Sequence, residues 1–205
     1  FYGKIFEECI HNHTKRVLIL EDDFFFVDSV QTIREYIHDI DTFLEKNNDF
    51  LIYNLGALPY FMAPTSTDMT HYYYKGGASH AVIYSQKAMR LYVDAYRSMT
   101  CSSDTFWNAY THVFTFHKPF CFQLCPHTEN STYWCSWLDV NYYIRHCFKA
   151  DKTHSYLFPF AYTASKFGIF AGFILFFSKD EDWFIVLTSD HVGTCLNSMS
   201  DNQKK

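Results

Sequence analysis

The sequence predicts an α/β protein with a mixed sheet flanked by helices, because strand-like and helix-like hydrophobic patterns follow one another along the chain. Residues 17–20 are a short apolar run, which we expect to be a strand buried on both faces. Apolar residues then recur at spacings of three and four over residues 30–44, as in an amphipathic helix. Residues 50–55 are the next apolar run. This order has the spacing of a parallel βαβ unit.

Further elements are predicted before and after this unit. Residues 1–13 read as the end of a helix, and residues 86–97 form another helix. Residues 71–75 and 79–84 are expected to be strands on either side of a turn at Gly76 and Gly77. Both Asp28 and Ser29 are suitable N-caps for the helix that begins near residue 30.

The composition suits one globular domain and excludes several classes of protein. The chain has 205 residues, of which 48% are hydrophobic, so its core needs no disulfide framework. A formal net charge of −5 without a basic stripe argues against nucleic acid as a partner. The seven cysteines are widely spaced and odd in number, which favours free thiols. We therefore expect a cytoplasmic or cytosol-facing protein, with the secretory pathway as the alternative.

The C-terminal part of the chain contains an apolar stretch at residues 157–177. Its uninterrupted part covers only residues 167–177, which is shorter than a membrane span, and Lys166 would be costly inside a bilayer. A buried or interfacial segment is therefore favoured over membrane insertion. We predict one domain over residues 1–150 and an extension of unassigned role over residues 151–205.

Three consecutive carboxylates, Glu21, Asp22 and Asp23, follow the first predicted strand directly. Ligands of α/β sheets bind at the carboxyl ends of the strands. Adjacent like charges repel each other unless a cation or a set of donors neutralises them, and carboxylate oxygens suit Mg²⁺ or Mn²⁺. The apolar residues 24–26 that follow favour a metal site over the alternative, a solvated acidic loop.

Four motifs, taken together, resemble glycosyltransferase family 25, which includes lipooligosaccharide and collagen galactosyltransferases and similar enzymes of large DNA viruses. Residues 17–23, VLILEDD, look like the family's strand and acidic motif. Residues 49–56, DFLIYNLG, resemble its next strand, and residues 76–88, GGASHAVIYSQKA, look like its glycine turn, strand and helix start. Residues 103–107, SDTFW, lie where the family carries an acidic residue that opens a helix. The resemblance covers residues 1–137.

The resemblance implies a GT-A fold, a Rossmann-type mixed sheet, and we expect the strands that cradle the nucleotide base to precede residue 1. It implies a metal-dependent inverting enzyme that moves a hexose from a nucleotide-sugar, with UDP as the expected nucleotide, to a hydroxyl of a glycan or glycoprotein acceptor. The implied metal is Mn²⁺ or Mg²⁺, with Asp23 and Glu21 as ligands. Glu21 and Asp22 are also expected to contact the donor, and Gly76 and Gly77 to let the backbone approach the substrates.

Asp104 is the expected general base, because it occupies the family's acidic position at a helix start. The alternative is that Asp104 is only the N-cap of that helix. For the whole chain, the alternative is a non-catalytic or degenerate nucleotide-sugar-binding domain of the same fold. A two-metal phosphohydrolase would need a second cluster of ligands, which the sequence does not offer.

Overall fold

A computed structural model of the protein describes residues 1–67, 69–98, 106–123 and 157–167. Within these ranges the chain alternates helices and strands, with a short 3₁₀ turn at Trp107–Ala109. The elements in chain order are α1 (Tyr2–His11), β1 (Arg16–Leu20), β2 (Phe24–Phe26), α2 (Val30–Lys46), β3 (Ile52–Asn54), β4 (Leu58–Pro64), β5 (His71–Gly77), β6 (Ala81–Ser85), α3 (Gln86–Ala95), β7 (Val113–Phe116), β8 (Cys121–Gln123) and α4 (Leu157–Lys166).

Six of the strands form one mixed sheet in the order β1-β6-β3-β7-β5-β4. Strands β3 and β7 are parallel, and the other neighbouring pairs are antiparallel. Strands β1 and β3 therefore run in the same direction, because β6 lies between them and is antiparallel to both. Strands β2 and β8 form a separate antiparallel pair. The predicted α/β class with a mixed sheet flanked by helices is confirmed.

Helices pack on both faces of the large sheet, because side chains alternate in direction along each strand. On β3, Ile52 belongs to the apolar cluster that contains residues of α1 and α3. The next residue, Tyr53, belongs to the cluster that contains Ile40 and Leu44 of α2. The sheet is therefore the middle layer of three, and α2 lies on the opposite face from α1 and α3.

Two serine caps fix the starts of α2 and α3. The Oγ atom of Ser29 accepts a hydrogen bond from the backbone N–H of Thr32 at 3.2 Å. The Oγ atom of Ser85 does the same for Ala88 at 3.1 Å. Such caps satisfy backbone donors that have no partner within the helix. The predicted helices over residues 30–46 and 86–97 are confirmed, the second ending two residues early at Ala95.

Strand β1 differs from its prediction as a strand buried on both faces. It is the terminal strand of the sheet in the described part of the chain, and Leu18 and Leu20 are 44% and 39% exposed. A continuous apolar run does not distinguish a central strand from a terminal one, because both carry β-branched and aliphatic residues. Strand β6 lies between β1 and β3 in the sheet. The residues around position 17 carry no information about this distant strand.

Helix α4 packs against β4 and the core of the sheet, although it lies in the part of the sequence predicted as an extension. Tyr162 is 2% exposed, and its hydroxyl lies 2.7 Å from Oγ1 of Thr115 on β7. The Oγ atom of Ser165 donates to the carbonyl of Pro59 at 2.6 Å. Residues after 150 thus contribute to the packed core, while the domain boundary at residue 150 stays a prediction.

The apolar stretch at residues 157–177 is described only as far as residue 167. Across the described ranges, the helices are too short or too polar to cross a membrane.

Replacing Tyr162 by alanine tests the contribution of α4 to stability. We expect Tyr162→Ala to lower the free energy of unfolding by about 3–5 kcal/mol, because it removes a fully packed aromatic ring. Thr163→Ala, at the exposed neighbouring position, is the control and should change it by less than about 0.5 kcal/mol. Urea unfolding of both variants measures the difference. Equal stabilities would show that α4 is not part of the cooperative core.

Candidate functional site

The three consecutive carboxylates lie on a tight turn that joins the two sheets. The backbone N–H of Glu21 donates to the carbonyl of His80 at 2.8 Å, which extends the pairing of β1 with β6 by one residue. The N–H of Phe24, the first residue of β2, donates to the carbonyl of Glu21 at 3.3 Å and closes the turn. Asp22 is exposed at this turn, whereas Glu21 and Asp23 are half-buried. We call residues 21–24 the acidic turn.

Glu21 is held by two hydroxyl groups from distant parts of the sequence. The hydroxyl of Tyr2, on α1, donates to Oε1 of Glu21 at 2.6 Å. The Oγ atom of Ser79, just before β6, donates to the same oxygen at 3.3 Å. Hydrogen bonds to an ionised acceptor are stronger than those between neutral groups. Both hydroxyl groups are neutral, and both orient the side chain of Glu21 through its Oε1 atom.

Asp23 is held through only one of its two carboxylate oxygens. The Nε2 atom of Gln123, on β8, donates to Oδ2 of Asp23 at 2.9 Å. The other oxygen, Oδ1, is buried and has no hydrogen-bond partner in the described structure. A buried acceptor without a partner costs on the order of 1–3 kcal/mol, and more when it is charged. Such an atom is uncommon in a folded protein, and local strain, a catalytic role or a bound water or ion can account for it.

The thiol of Cys121 lies close enough to the acidic turn for the charge of Asp23 to affect its pKa. Burial raises the pKa of Cys121 to about 12, and the carboxylate of Asp23 adds to the increase. A thiol with this pKa stays protonated and unreactive at neutral pH. We therefore expect the buried thiol of Cys121 to contribute to packing near Asp23 and not to act as a nucleophile.

Strand β8 can pack close to the backbone of Gly56 because this residue has no side chain. A methyl group at Gly56 would overlap the carbonyl oxygen of Cys121 and would lie 2.8 Å from Nε2 of His80. The imidazole of His80 is fully buried, and its Nε2 is 3.2 Å from the same carbonyl oxygen. Gly56 thus lets β8 approach the end of β3, and the position of Gln123 depends on this approach.

Asn54, at the carboxyl end of β3, holds the loop that carries Ser79. Its Nδ2 atom donates to the carbonyl of Ala78 at 2.6 Å, and its Oδ1 atom accepts from the N–H of Gly56 at 2.9 Å. Ala78 has a φ of 67°, in the left-handed region that residues other than glycine rarely adopt. The Asn54 amide therefore stabilises a strained backbone next to the acidic turn.

The sequence predicted a turn at Gly76 and Gly77, and this prediction is wrong. Both glycines lie in β5, as its last two residues. They pair with Pro59 and Leu58 of β4, so the glycines continue the ladder beyond the predicted strand end. A side chain at Gly76 would overlap the carbonyl of Leu58, which explains this glycine by strand packing. A methyl group at Gly77 would meet no atom of the described residues within 4 Å. Among these residues, the backbone of Gly77 is therefore uncovered, whereas that of Gly76 is not.

The structure brings Glu21, Asp22 and Asp23 together with the loop that follows Gly77, but it does not describe Asp104. The general-base assignment of Asp104 therefore stays a prediction. In the described part of the chain, no three His, Cys, Asp or Glu side chains are grouped so that they could hold a metal ion. The carboxylates of the acidic turn do not by themselves form a complete metal cage.

Three residues that contact the acidic turn were missed in the sequence: Tyr2, Ser79 and Gln123. Gln123 lies 100 residues from Asp23, and nothing in the sequence near either residue indicates their contact. Ser79 lies inside the motif at residues 76–88, but nothing in that motif distinguishes Ser79 as a site residue from its neighbours. Asn54 was detectable, because it ends a buried strand at the sheet edge where ligands bind.

Comparison of the chain with models of known protein families, with curated proteins and with solved structures finds no match in any of the three. The case for a function therefore depends on the arrangement of the residues at the acidic turn.

Replacing Gly56 and Gly77 by alanine, one at a time, tests whether the backbone of each glycine is packed against another segment. We expect Gly56→Ala to lower the free energy of unfolding by about 1–3 kcal/mol, because its methyl group forces β8 away from β3. Gly77→Ala should change it by less than about 0.5 kcal/mol, since the added methyl group meets no atom in the part of the chain that the structure describes. Chemical denaturation of both variants measures the two values. A stable Gly56→Ala protein would contradict the close approach of β8.

Proposed function

We propose that this chain is a metal-dependent inverting glycosyltransferase of the GT-A type. It transfers a hexose from a UDP-linked sugar to a hydroxyl of a glycan or glycoprotein. The observation that carries the proposal is the buried Oδ1 of Asp23, which has no partner in the described structure and belongs to an acidic turn at the carboxyl end of β1. A divalent cation would give this oxygen a partner.

The residues of the acidic turn fit a divalent cation that is shared with a diphosphate. Mg²⁺ at such sites is bound by one or two carboxylates together with phosphate oxygens and water, and not by a cage of protein ligands. Asp23 and Glu21 would supply the protein's share, and Asp22, which is exposed, would face the donor. Since Oδ1 of Asp23 is shielded from solvent, the groups that cover it would have to move before a cation could bind it.

Three of the four motifs that resemble glycosyltransferase family 25 are joined by hydrogen bonds, which supports the proposal. Asn54, in the second motif, donates to the carbonyl of Ala78 in the third. Ser79, in the third motif, donates to Glu21 in the first. Residues that are far apart in sequence thus meet at one edge of the sheet, where ligands of α/β proteins bind.

In the proposed reaction, the acceptor hydroxyl attacks the anomeric carbon while the bond from that carbon to the diphosphate breaks. A bound cation would neutralise the charge that develops on the leaving diphosphate. Tyr2 and Ser79 keep Glu21 in a fixed orientation, so that its contacts with the donor do not have to be ordered during binding. The open backbone at Gly77 leaves room for the acceptor. Asp104 would take the proton of the attacking hydroxyl.

Replacing Asp23 by asparagine tests the metal site. Asp23→Asn keeps an oxygen that can accept from Gln123 and removes the charge, so the melting temperature without ligand should stay close to that of the wild type. We expect the wild type to be stabilised by Mn²⁺ with UDP, by about 2.7 kcal/mol when the ligand is at 100 times its dissociation constant. Asp23→Asn should lose this stabilisation.

The matched control for this measurement is Asp41→Asn, because Asp41 is an exposed carboxylate on α2 that contacts Arg16 at 3.5 Å. It should keep the full response to Mn²⁺ with UDP. If the wild type shows no thermal shift with UDP or with GDP at millimolar Mn²⁺, the proposed function is wrong.

Replacing Asp104 by asparagine tests catalysis separately from binding. An asparagine keeps the capping oxygen, so stability should change little, whereas proton abstraction is lost. We expect turnover to fall by a factor of about 10² to 10⁴ with unchanged affinity for the donor. Transfer of radiolabelled sugar and donor titration are the two measurements. Turnover within a few-fold of the wild type would leave Asp104 as a helix cap, and binding without any turnover in the wild type would indicate a non-catalytic sugar-nucleotide-binding domain.

A further inference from the structure

Gln123 lies beside the acidic turn because the small sheet holds it there. Strand β2 begins with the residue after Asp23, and Phe24 pairs with Gln123 of β8. Two more pairs, which join Phe25 to Phe122 and Phe26 to Cys121, continue the ladder, and the rings of Phe25 and Phe122 are stacked at 5.9 Å. The register of this sheet therefore decides which side chain stands next to Asp23.

The hydrogen bond from Gln123 determines which oxygen of Asp23 remains without a partner. A carboxylate bound at neither oxygen turns about its last torsion angle, because that torsion is broad and roughly two-fold. The 2.9 Å hydrogen bond between Nε2 of Gln123 and Oδ2 of Asp23 restricts this rotation. The opposite oxygen, Oδ1, is then held in its buried position without a hydrogen-bond partner in the described structure.

We propose that Gln123 is a positioning residue, which orients the carboxylate of Asp23 so that Oδ1 is presented to a divalent cation. This inference rests on the metal site of the proposed function, but it does not depend on sugar transfer. Gln123 itself does not contact the cation. Partners of this kind, which hold a metal ligand in place, typically contribute a factor of 10 to 100 in metal affinity.

The neutrality of Gln123 matters for this role. A lysine or arginine at the same position would also donate to Oδ2, but its positive charge would oppose that of the cation. An amide supplies the directional hydrogen bond and leaves the negative charge of Asp23 uncompensated. The two hydroxyl donors to Glu21 have the same property, since Tyr2 and Ser79 are neutral as well.

The test is the affinity of the 205-residue chain for Mn²⁺ in the presence of UDP, with free Mn²⁺ measured by electron paramagnetic resonance. Gln123→Met has a similar length and volume but no donor, and we expect it to bind Mn²⁺ between about 10 and 100 times more weakly than the wild type. Gln123→Asn is the second variant, because its amide is one methylene too short to reach Asp23. It should weaken Mn²⁺ binding in the same range even if Gln123→Met does not fold.

The matched control is Gln31→Met. The Nε2 atom of Gln31 also donates to a carboxylate, Oε1 of Glu35 at 3.0 Å, but the pair is exposed on α2. Its replacement should leave Mn²⁺ affinity unchanged. Melting curves without metal show whether each variant is folded.

The outcomes separate this inference from the proposed function. If the wild type binds Mn²⁺ with UDP and the folded Gln123 variants bind it equally well, Gln123 has no positioning role, while the metal site stands. If the folded wild type binds no Mn²⁺ under these conditions, both proposals are overturned. Weaker binding by the Gln123 variants, with an unchanged Gln31→Met protein, is the result that supports the inference.

Discussion

The insertion of β6 between β1 and β3 is the constraint on which the rest of the site depends. Its antiparallel pairing with both neighbours places the start of β6 beside the ends of β1 and β3. The carbonyl of His80 then accepts from Glu21, and the carbonyl of Ala81 accepts from Leu55 at 3.0 Å. The start of β6 is thus hydrogen-bonded both to the acidic turn and to the segment after β3, and it fixes their relative position. Without this strand, the two carboxyl ends would not share a loop.

The three side chains described above as donors to the acidic turn, Tyr2, Ser79 and Gln123, are all neutral. A hydroxyl or amide bonded to a carboxylate orients it without cancelling its charge, whereas a salt bridge would satisfy the carboxylate and weaken its attraction for a cation. A salt bridge of the described chain joins Arg16 to Glu45 at 2.7 Å, between β1 and α2. The donors from Tyr2, Ser79 and Gln123 leave the negative charges of Glu21 and Asp23 in place.

Local patterns predicted the elements whose determinants are local. Helices α2 and α3 were recoverable because their apolar spacing and the serines at 29 and 85 lie within a few residues of each helix start. The acidic turn was found because three adjacent carboxylates are conspicuous in any sequence. The position of β1 was not recoverable, since a terminal strand and a central one have similar apolar content when read alone.

The parts that sequence reasoning missed are contacts between distant segments. The pairing of β2 with β8 joins residues about 100 positions apart, and the two short strands carry no turn signal that links them. The contact of Tyr2 with Glu21 spans two elements whose patterns describe only their own faces. The glycines at 76 and 77 were interpreted as a turn because glycine is common in turns, whereas Gly76 is required by the close approach of β4.

The left-handed conformation of Ala78 stores backbone strain in the loop before β6. For a residue with a Cβ atom this conformation costs roughly 1–2 kcal/mol, and here the hydrogen bond from Asn54 opposes its relaxation. Ser79, the next residue, donates to Glu21, so the hydrogen bond from Asn54 also contributes to the position of that donor. Without the Asn54 amide, the cost of the left-handed backbone would have to be met by other contacts of the loop.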